Sequence, residues 1–420
     1  MMRMLLSLAS SLALLCVVHC SLYPSQQDVL EAKVHLDTMI DNTIINNNEK
    51  LLIAGFVRLA FHDCVGAGGC DGCIDHNNPS NGGLSFYTSK LNPVWEAHVK
   101  GKMSRADFYM LAGYVALQHA SDELTDQFTA FPKFGRLDCP STTGDEDISA
   151  TFPKATWNLP EASDFFADNF QFSVEETVVI LGAHTLGRCR LANSGFEGRW
   201  VKGSVNNIPQ TDMLNNEYYK QIRGNWTQKQ TSEGKWQWQR PGTTANTDFE
   251  QLRNSKNQPN MFLNVDMAIA WDLDSNGGLD TDNGLAQCVV EVEKNQCIAT
   301  PSAPCCNKAD TNIGPVRQGN NLFLKYVNDN AVFVSKFSEV FVKMTEIREV
   351  EELQDVFNSN DAFERKDEGK RVHHHPHHPQ HHARHDHPHH NRHHHGNRRI
   401  EDQDDEDEDI EEMLYDFLHN

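Results

Sequence analysis

The chain has 420 residues, 39% hydrophobic and 23% charged, enough for one large globular unit or two packed subdomains. A formal net charge of -22 argues against binding nucleic acid or an anionic membrane. Half of that charge is local: residues 401–416 carry eleven carboxylates and no Lys or Arg, so the globular part is only moderately acidic.

Residues 1–20 read as an export signal. Arg3 precedes an apolar run from Leu5 to Val18, shorter than the roughly 20 residues that span a bilayer. Cleavage is expected after Cys20, and no other segment is long and apolar enough to cross a membrane. The expected location is therefore extracellular. Nine cysteines remain beyond the signal: Cys64, Cys70, Cys73, Cys139, Cys189, Cys288, Cys297, Cys305 and Cys306. In an oxidising compartment most should pair, and an odd number leaves at least one unpaired or intermolecular. A zinc cluster of Cys64, Cys70 and Cys73 is the rival reading. Asn225 heads the sequon "NWT" and is the expected N-glycosylation site.

Helical spacing of apolar residues predicts helix over 27–63, over 104–121 behind the N-cap candidate Ser104, over 173–187 behind the capping-box pair Ser173 and Glu176, and over 321–347. Residues 131–160 are rich in turn formers, and strand signals are weak throughout. The globular part, residues 21–350, is expected to be mainly α. Residues 272–320 form a cysteine-rich insertion, in which "DLDSNGGLDTDN" imitates a calcium loop but ends on Asn283 where a glutamate is needed. Residues 351–420 are a low-complexity tail that cannot bury a core and is expected to be disordered. Fourteen histidines occupy the twenty-three positions 373–395, beginning with His373, His374, His375, His377 and His378. Dense imidazole suits Zn²⁺, Cu²⁺ or Ni²⁺, and the acidic run at 401–416 suits calcium ions or a mineral surface.

Arg58 and His62 stand four apart in "VRLAFHDCVGAGGCDG" and so share one face of a helix, beside Phe61. The surrounding positions are apolar, so this face points inward, and a buried Arg–His pair without a task is costly. His184 closes an apolar helix and is flanked by Gly182, Ala183 and Gly187, small residues that let a flat bulky group approach the backbone.

"RLAFHDC" and "LGAHTLGRC" resemble the two haem motifs of the plant, fungal and bacterial-type haem peroxidase superfamily. The resemblance runs over residues 27–350 through "NNPSNGGL", "SRADFYMLAG", "FGRLD", "SGFEGRW" and "FLNVD". It implies two α-helical subdomains with haem b between them and a hydrogen-peroxide-dependent oxidoreductase. His184 would be the axial ligand, and Asp266 would accept the hydrogen bond of its other ring nitrogen. His62 would move a proton between the peroxide oxygens, Arg58 would stabilise the charge that develops as the O–O bond breaks, and Asn81 would fix the His62 tautomer. Trp200 matches the proximal tryptophan of cytochrome c and ascorbate peroxidases, whereas Phe61 matches the distal aromatic of the secreted classes. Asp63, the Gly69 carbonyl and Asp71 match the distal calcium site of those classes, with Cys73 where a serine ligand would stand. Of a proximal cation site only Thr185 is kept; Asn215 replaces its aspartate, and Lys202 is a candidate to occupy the cation position itself.

The positions that determine the reducing substrate are mostly changed. Asn193 stands where ascorbate peroxidases place an arginine, although Lys50 matches their second ascorbate contact. Gly55 and Leu51 replace two manganese-binding glutamates, and Val179 replaces a surface tryptophan. Small phenols or tyrosines on other proteins remain as expected donors. The alternative is an extracellular matrix, metal-binding or mineral-binding protein that keeps the fold as a scaffold and acts through its tail.

Overall fold

The computed structural model describes residues 23–43, 51–65, 69–128, 130–140, 152–205, 208–222, 224–240, 259–273, 322–347 and 353–357, with residue 306 and four two-residue strands between 279 and 297. The export signal, the tail histidines, the acidic run and most of the cysteine-rich insertion lie outside these residues. Residues up to Asn358 form one compact unit. Among the described residues no helix is long and apolar enough to cross a membrane.

The fold is mainly α. The stretch expected as one helix over 27–63 is two: α1 (Gln26–Asn42) and α2 (Leu51–Val65). Ser25 and Asp28 cap α1 reciprocally, and Val29, Ala32, Leu36 and Ile40 form its buried stripe. It ends where Thr43 donates its N–H back to Met39, at the start of an Asn-rich stretch of poor helix formers. Helix α3 (Leu84–Val94) follows, and then α4 (Arg105–Ser121), which is buried on almost every side. Such all-round burial marks a central helix. At the α4 crossing with α2, a Cβ on Gly113 would lie 2.8 Å from Ala60 Cβ and 3.1 Å from Phe341, so only glycine permits that approach.

Helix α5 (Leu159–Phe170) carries no counterpart in the sequence reading, although Asn158 and Glu161 form a capping box at its start. Helix α6 (Val174–Leu181) is capped by Ser173 and Glu176 as expected, and then tightens into a 3₁₀ turn, Gly182–Thr185. Helix α7 (Glu217–Ile222) lies beside that turn. The pattern over 321–347 is interrupted at Asp329, which caps α9 (Asn330–Glu346) by accepting from the Val332 amide; α8 occupies 322–328. Helix α9 packs on both α2 and α6, so the two expected subdomains lie within one unit.

Short antiparallel ladders accompany the helices, and two of them lie beside the site. Strand β1 (Arg188–Cys189) pairs with β2 (Gly198–Arg199). Strands β3 (Thr227–Gln230), β4 (Trp236–Gln239) and β5 (Met261–Phe262) form a sheet in which Trp238 pairs with both Gln228 and Phe262.

Cys64 is bonded to Cys70 and Cys73 to Cys139, which replaces the zinc reading of the first three. Cys306 is also disulphide-bonded. Cys189 is a free thiol, and burial pushes its pKa up to about 12, so it stays protonated and unreactive. The "SRADF" and "FGRLD" motifs lock together. Arg136, fully buried, donates to Asp107 Oδ1 at 2.8 Å and twice to the Thr345 carbonyl, while Gly135 N–H donates to Asp107 Oδ2 and the Ala106 amide donates to Asp138.

Candidate active site

His62 sits in the last turn of α2, where its Nδ1 lies 2.8 Å from Asn81 Oδ1. Asn81 is buried in a 3₁₀ turn (Pro79–Asn81), and its Nδ2 donates to the Asp75 carbonyl at 2.9 Å. That second bond fixes which end of the amide faces the imidazole, so Nδ1 carries the proton and Nε2 is left as a base. Burial depresses the His62 pKa well below its ordinary value; the Arg58 charge adds to this and the Asn81 bond opposes it. The ring is desolvated by its surroundings and yet keeps part of its surface accessible. Phe61 lies edge-on to it at 5.7 Å and Phe152 lies across it at 4.6 Å. Phe152 was not legible in the sequence, since nothing in the "FPK" turn ties it to His62.

Arg58 is close enough to act on His62, but its guanidinium donates to the carbonyls of Gly82 at 2.9 Å and Ser80 at 2.8 Å. One turn of chain, residues 79–82, therefore orients both the imidazole and the guanidinium.

On the other side, His184 lies in the 3₁₀ turn after α6, and its Nδ1 is 2.7 Å from Asp266 Oδ1. Asp266 belongs to the helical turn Asn264–Met267; its side chain is wholly inaccessible while that of His184 is 30% exposed. The carboxylate is sealed and the imidazole opens onto a space. Trp200 stacks on His184, with ring centroids 3.9 Å apart and planes 5° from parallel. The carboxylate takes two more bonds, from the Leu263 amide to Oδ2 and from the Tyr218 hydroxyl to Oδ1, each 2.8 Å. Among the described residues the Trp200 indole makes no hydrogen bond to Asp266; a phenol supplies that third donor. Tyr218 escaped the sequence reading, because "NEYYKQI" shows only helical aromatic spacing.

The two groups share one interior. Cys189 lies near enough to both Arg58 and Asp266 for each to influence its thiol. A Cβ on Gly187, which has φ +75°, would lie 2.6 Å from Ala54 Cβ on α2. The donor set fits an iron porphyrin. One imidazole has Nδ1 committed to a carboxylate and Nε2 open, and the opposite set offers a neutral base and a guanidinium.

Asp63 and Gly69 are buried, Gly69 has φ +78°, and Asp71 Oδ1 accepts from the Cys73 amide at 3.0 Å. The buried Arg105 guanidinium donates to the neighbouring Gly72 carbonyl at 2.8 Å, so this loop already holds one positive charge. Asp71, Cys73 and Cys139 come together, but the disulphide removes both thiolates as metal ligands. Thr185 is buried and donates to Asn215 at 3.4 Å, whereas Lys202 is exposed and does not take the cation position. Asn225 is half-buried above the fully buried Trp226. At Gly55 a Cβ would fall within the Tyr87 ring, so the manganese-type glutamate has no room there. Val179 is in the core, and the Asn193 side chain packs against Gly83. Lys50 and the tail histidines lie outside the described residues.

A helical fold with two histidines, each oriented by a side-chain oxygen around a shared interior, is the architecture of the class that the motifs resemble. The family model described as Peroxidase matches residues 36–287, and the chain belongs to that family. It is 30% identical over 196 residues to the mitochondrial cytochrome c peroxidase of Yarrowia lipolytica, covering 47% of this chain and 48% of that protein. It is 31% identical over 180 residues to L-ascorbate peroxidase 2, cytosolic, of Arabidopsis thaliana, covering 40% of this chain and 62% of that protein. The chain thus spans about half to three-fifths of the length of these relatives.

Proposed function

We propose that the protein is a secreted haem peroxidase, which reduces hydrogen peroxide and oxidises phenolic or tyrosine-type donors one electron at a time. The observation that carries this reading is the pair of oriented histidines, His62 on Asn81 and His184 on Asp266, around one interior. Family membership supports it, and the two disulphides suit an oxidising compartment.

Haem would be held by His184 through Nε2, and when bound it would supply the two-electron redox chemistry. The residues around it manage protons and charge. His62 Nε2 takes the proton from the near oxygen of peroxide and returns it to the far oxygen, which leaves as water. Asn81 holds the His62 Nδ1 proton in place, so that nitrogen does not compete as a base. Arg58 places positive charge beside the departing oxygen. Asp266 draws on the His184 Nδ1 proton and gives the imidazole partial anionic character, which strengthens it as a ligand. Stacked Trp200 limits ring rotation. Asn193 and Gly55 stand where ascorbate and manganese sites would need charged groups, and this favours phenols as donors.

The test is the absorption spectrum of the purified protein. A ferric Soret band that shifts with one equivalent of peroxide and returns on adding a phenol supports the reading; no haem uptake refutes it. Calcium at Asp63, the Gly69 carbonyl and Asp71 is a smaller part of the proposal. Dialysis against EGTA should then release one calcium and lower thermal stability.

A further inference from the structure

Behind His184 runs a file of aromatic rings that peroxide reduction does not require. Tyr218, hydrogen-bonded to Asp266, lies edge-on to Tyr219 with centroids 5.0 Å apart, and Tyr219 lies 5.5 Å from Tyr326. All three rings are buried. The Tyr326 hydroxyl donates to Glu175 Oε1 at 2.8 Å. Glu175 is one-third exposed and pairs with the half-exposed Lys325 at 2.9 Å, so the file reaches the surface there. Asn216 holds α8 against α7 by donating to the carbonyls of Tyr326 and Val327.

The three hydroxyls are not equivalent. A phenol that loses an electron becomes a strong acid, so a station for oxidation needs a proton acceptor at its oxygen. Tyr218 has the Asp266 carboxylate and Tyr326 has that of Glu175. Burial raises the Glu175 pKa, but the bonds from Lys325 and Tyr326 outweigh this and keep it ionised. Tyr219 donates instead to the Val178 carbonyl at 2.8 Å, which takes no proton, so its ring is a bridge rather than a station. A Cβ on Gly182 would lie 2.6 Å from the Tyr219 oxygen, so the glycine beside His184 is what admits this ring.

We propose that Tyr218, Tyr219 and Tyr326 carry oxidising equivalents from the proximal side of the site to the surface at Glu175 and Lys325, where phenols borne on macromolecules are oxidised. The inference rests on the peroxidase reading above. Tyr326 passes one electron inward through Tyr219 and its hydroxyl proton to Glu175. The resulting tyrosyl radical takes one electron from a donor seated at Glu175 and Lys325 and takes its own proton back from Glu175, while the donor's phenolic proton passes to water, leaving a phenoxyl radical on the donor. Two such transfers use both oxidising equivalents of one hydrogen peroxide, which ends as two molecules of water. A phenol fixed to a polymer or a protein is thereby oxidised without entering the pocket.

The experiment uses the full-length, haem-loaded protein. After one equivalent of peroxide, electron paramagnetic resonance of the freeze-quenched protein should show a tyrosyl radical on Tyr326. Tyr326→Phe should remove it, and Glu175→Gln should reduce it severalfold, since the proton then has no acceptor. Turnover of tyramine-grafted dextran should fall about tenfold in Tyr326→Phe while free tyramine is oxidised at the parent rate. A radical spectrum unchanged in Tyr326→Phe, or dextran turnover unchanged in both variants, would overturn the conduit and leave the peroxidase reading standing. Absence of free-tyramine turnover in the parent protein would overturn both. The Soret band of each variant reports that its site is intact, and Glu175→Gln keeps the size of the side chain while removing its charge.

Discussion

Burial, helped by the Arg58 charge, lowers the His62 pKa against the opposing Asn81 bond. Such a base stays unprotonated where free imidazole titrates, near about pH 6.5. The second-order rate constant for peroxide should hold from neutral pH down through about 6.5 and fall only below it; a stopped-flow profile breaking at or above about 6.5 would contradict the geometry. The sign for stability is the same. A histidine depressed in the folded state binds fewer protons than its unfolded form below about pH 6.5, so its contribution is complete above that pH and is lost below it. His62→Leu should slow the peroxide reaction by about 10²–10⁴-fold without expelling haem. Arg58→Leu should be milder, since its donors are engaged by the Ser80 and Gly82 carbonyls. Tyr218→Phe leaves Asp266 with two partners and more negative charge to direct at His184. The Fe(III)/Fe(II) potential should become more negative, as measured by spectroelectrochemistry; a rise would show that the phenol does not draw on the carboxylate. Residues embedded in motifs, such as His62 and Asp266, were legible because their spacing and neighbours are distinctive. Tyr218 and Phe152 were not, because an aromatic that meets the site only through tertiary packing leaves no local pattern.

At the scale of elements, the Cys73–Cys139 bond closes the longer of the two described disulphide loops, with a sequence separation of 66 residues. Chain-entropy reasoning assigns such a closure about 4 kcal/mol. The double variant Cys73→Ser/Cys139→Ser should lose stability of that order, seen as a lower urea midpoint with an unchanged Soret band in native buffer. A midpoint shift near zero would mean that Arg105, donating to Gly72, holds the loop without the disulphide. Helices that begin at an N-cap candidate and continue as a largely apolar run, α4 and α6, were readable from sequence. The break between α1 and α2 was not, because apolar spacing resumes in phase across the Asn-rich stretch. The β3–β4 hairpin was missed although "WQWQ" alternates with period two, since polar strands of four residues give too little contrast. Helix α5 was masked by the turn formers just before it, despite its capping box.

For the molecule as a whole, the compact unit to Asn358 contains every residue of the proposed site. Removing residues 370–420 should therefore leave turnover of a small phenol unchanged and abolish most retention on immobilised nickel. The two parts of the tail predict different pH limits. Metal capture by histidines should fade below about pH 6, while calcium capture by the acidic run should persist to about pH 4–5. A truncated protein that still binds nickel as the parent does would remove the tail from the metal-binding proposal.

Arg136 takes one partner from residue 107 and another from residue 345. A buried guanidinium deprived of its acceptors costs several kcal/mol. While the chain is being made, this charge has no complete site until the last core helix has emerged. The clamp therefore acts in time as well as in space. Synthesis must reach α9 before Arg136 finds the Thr345 carbonyl, so the core cannot complete this set of bonds until its carboxyl-terminal helix is present.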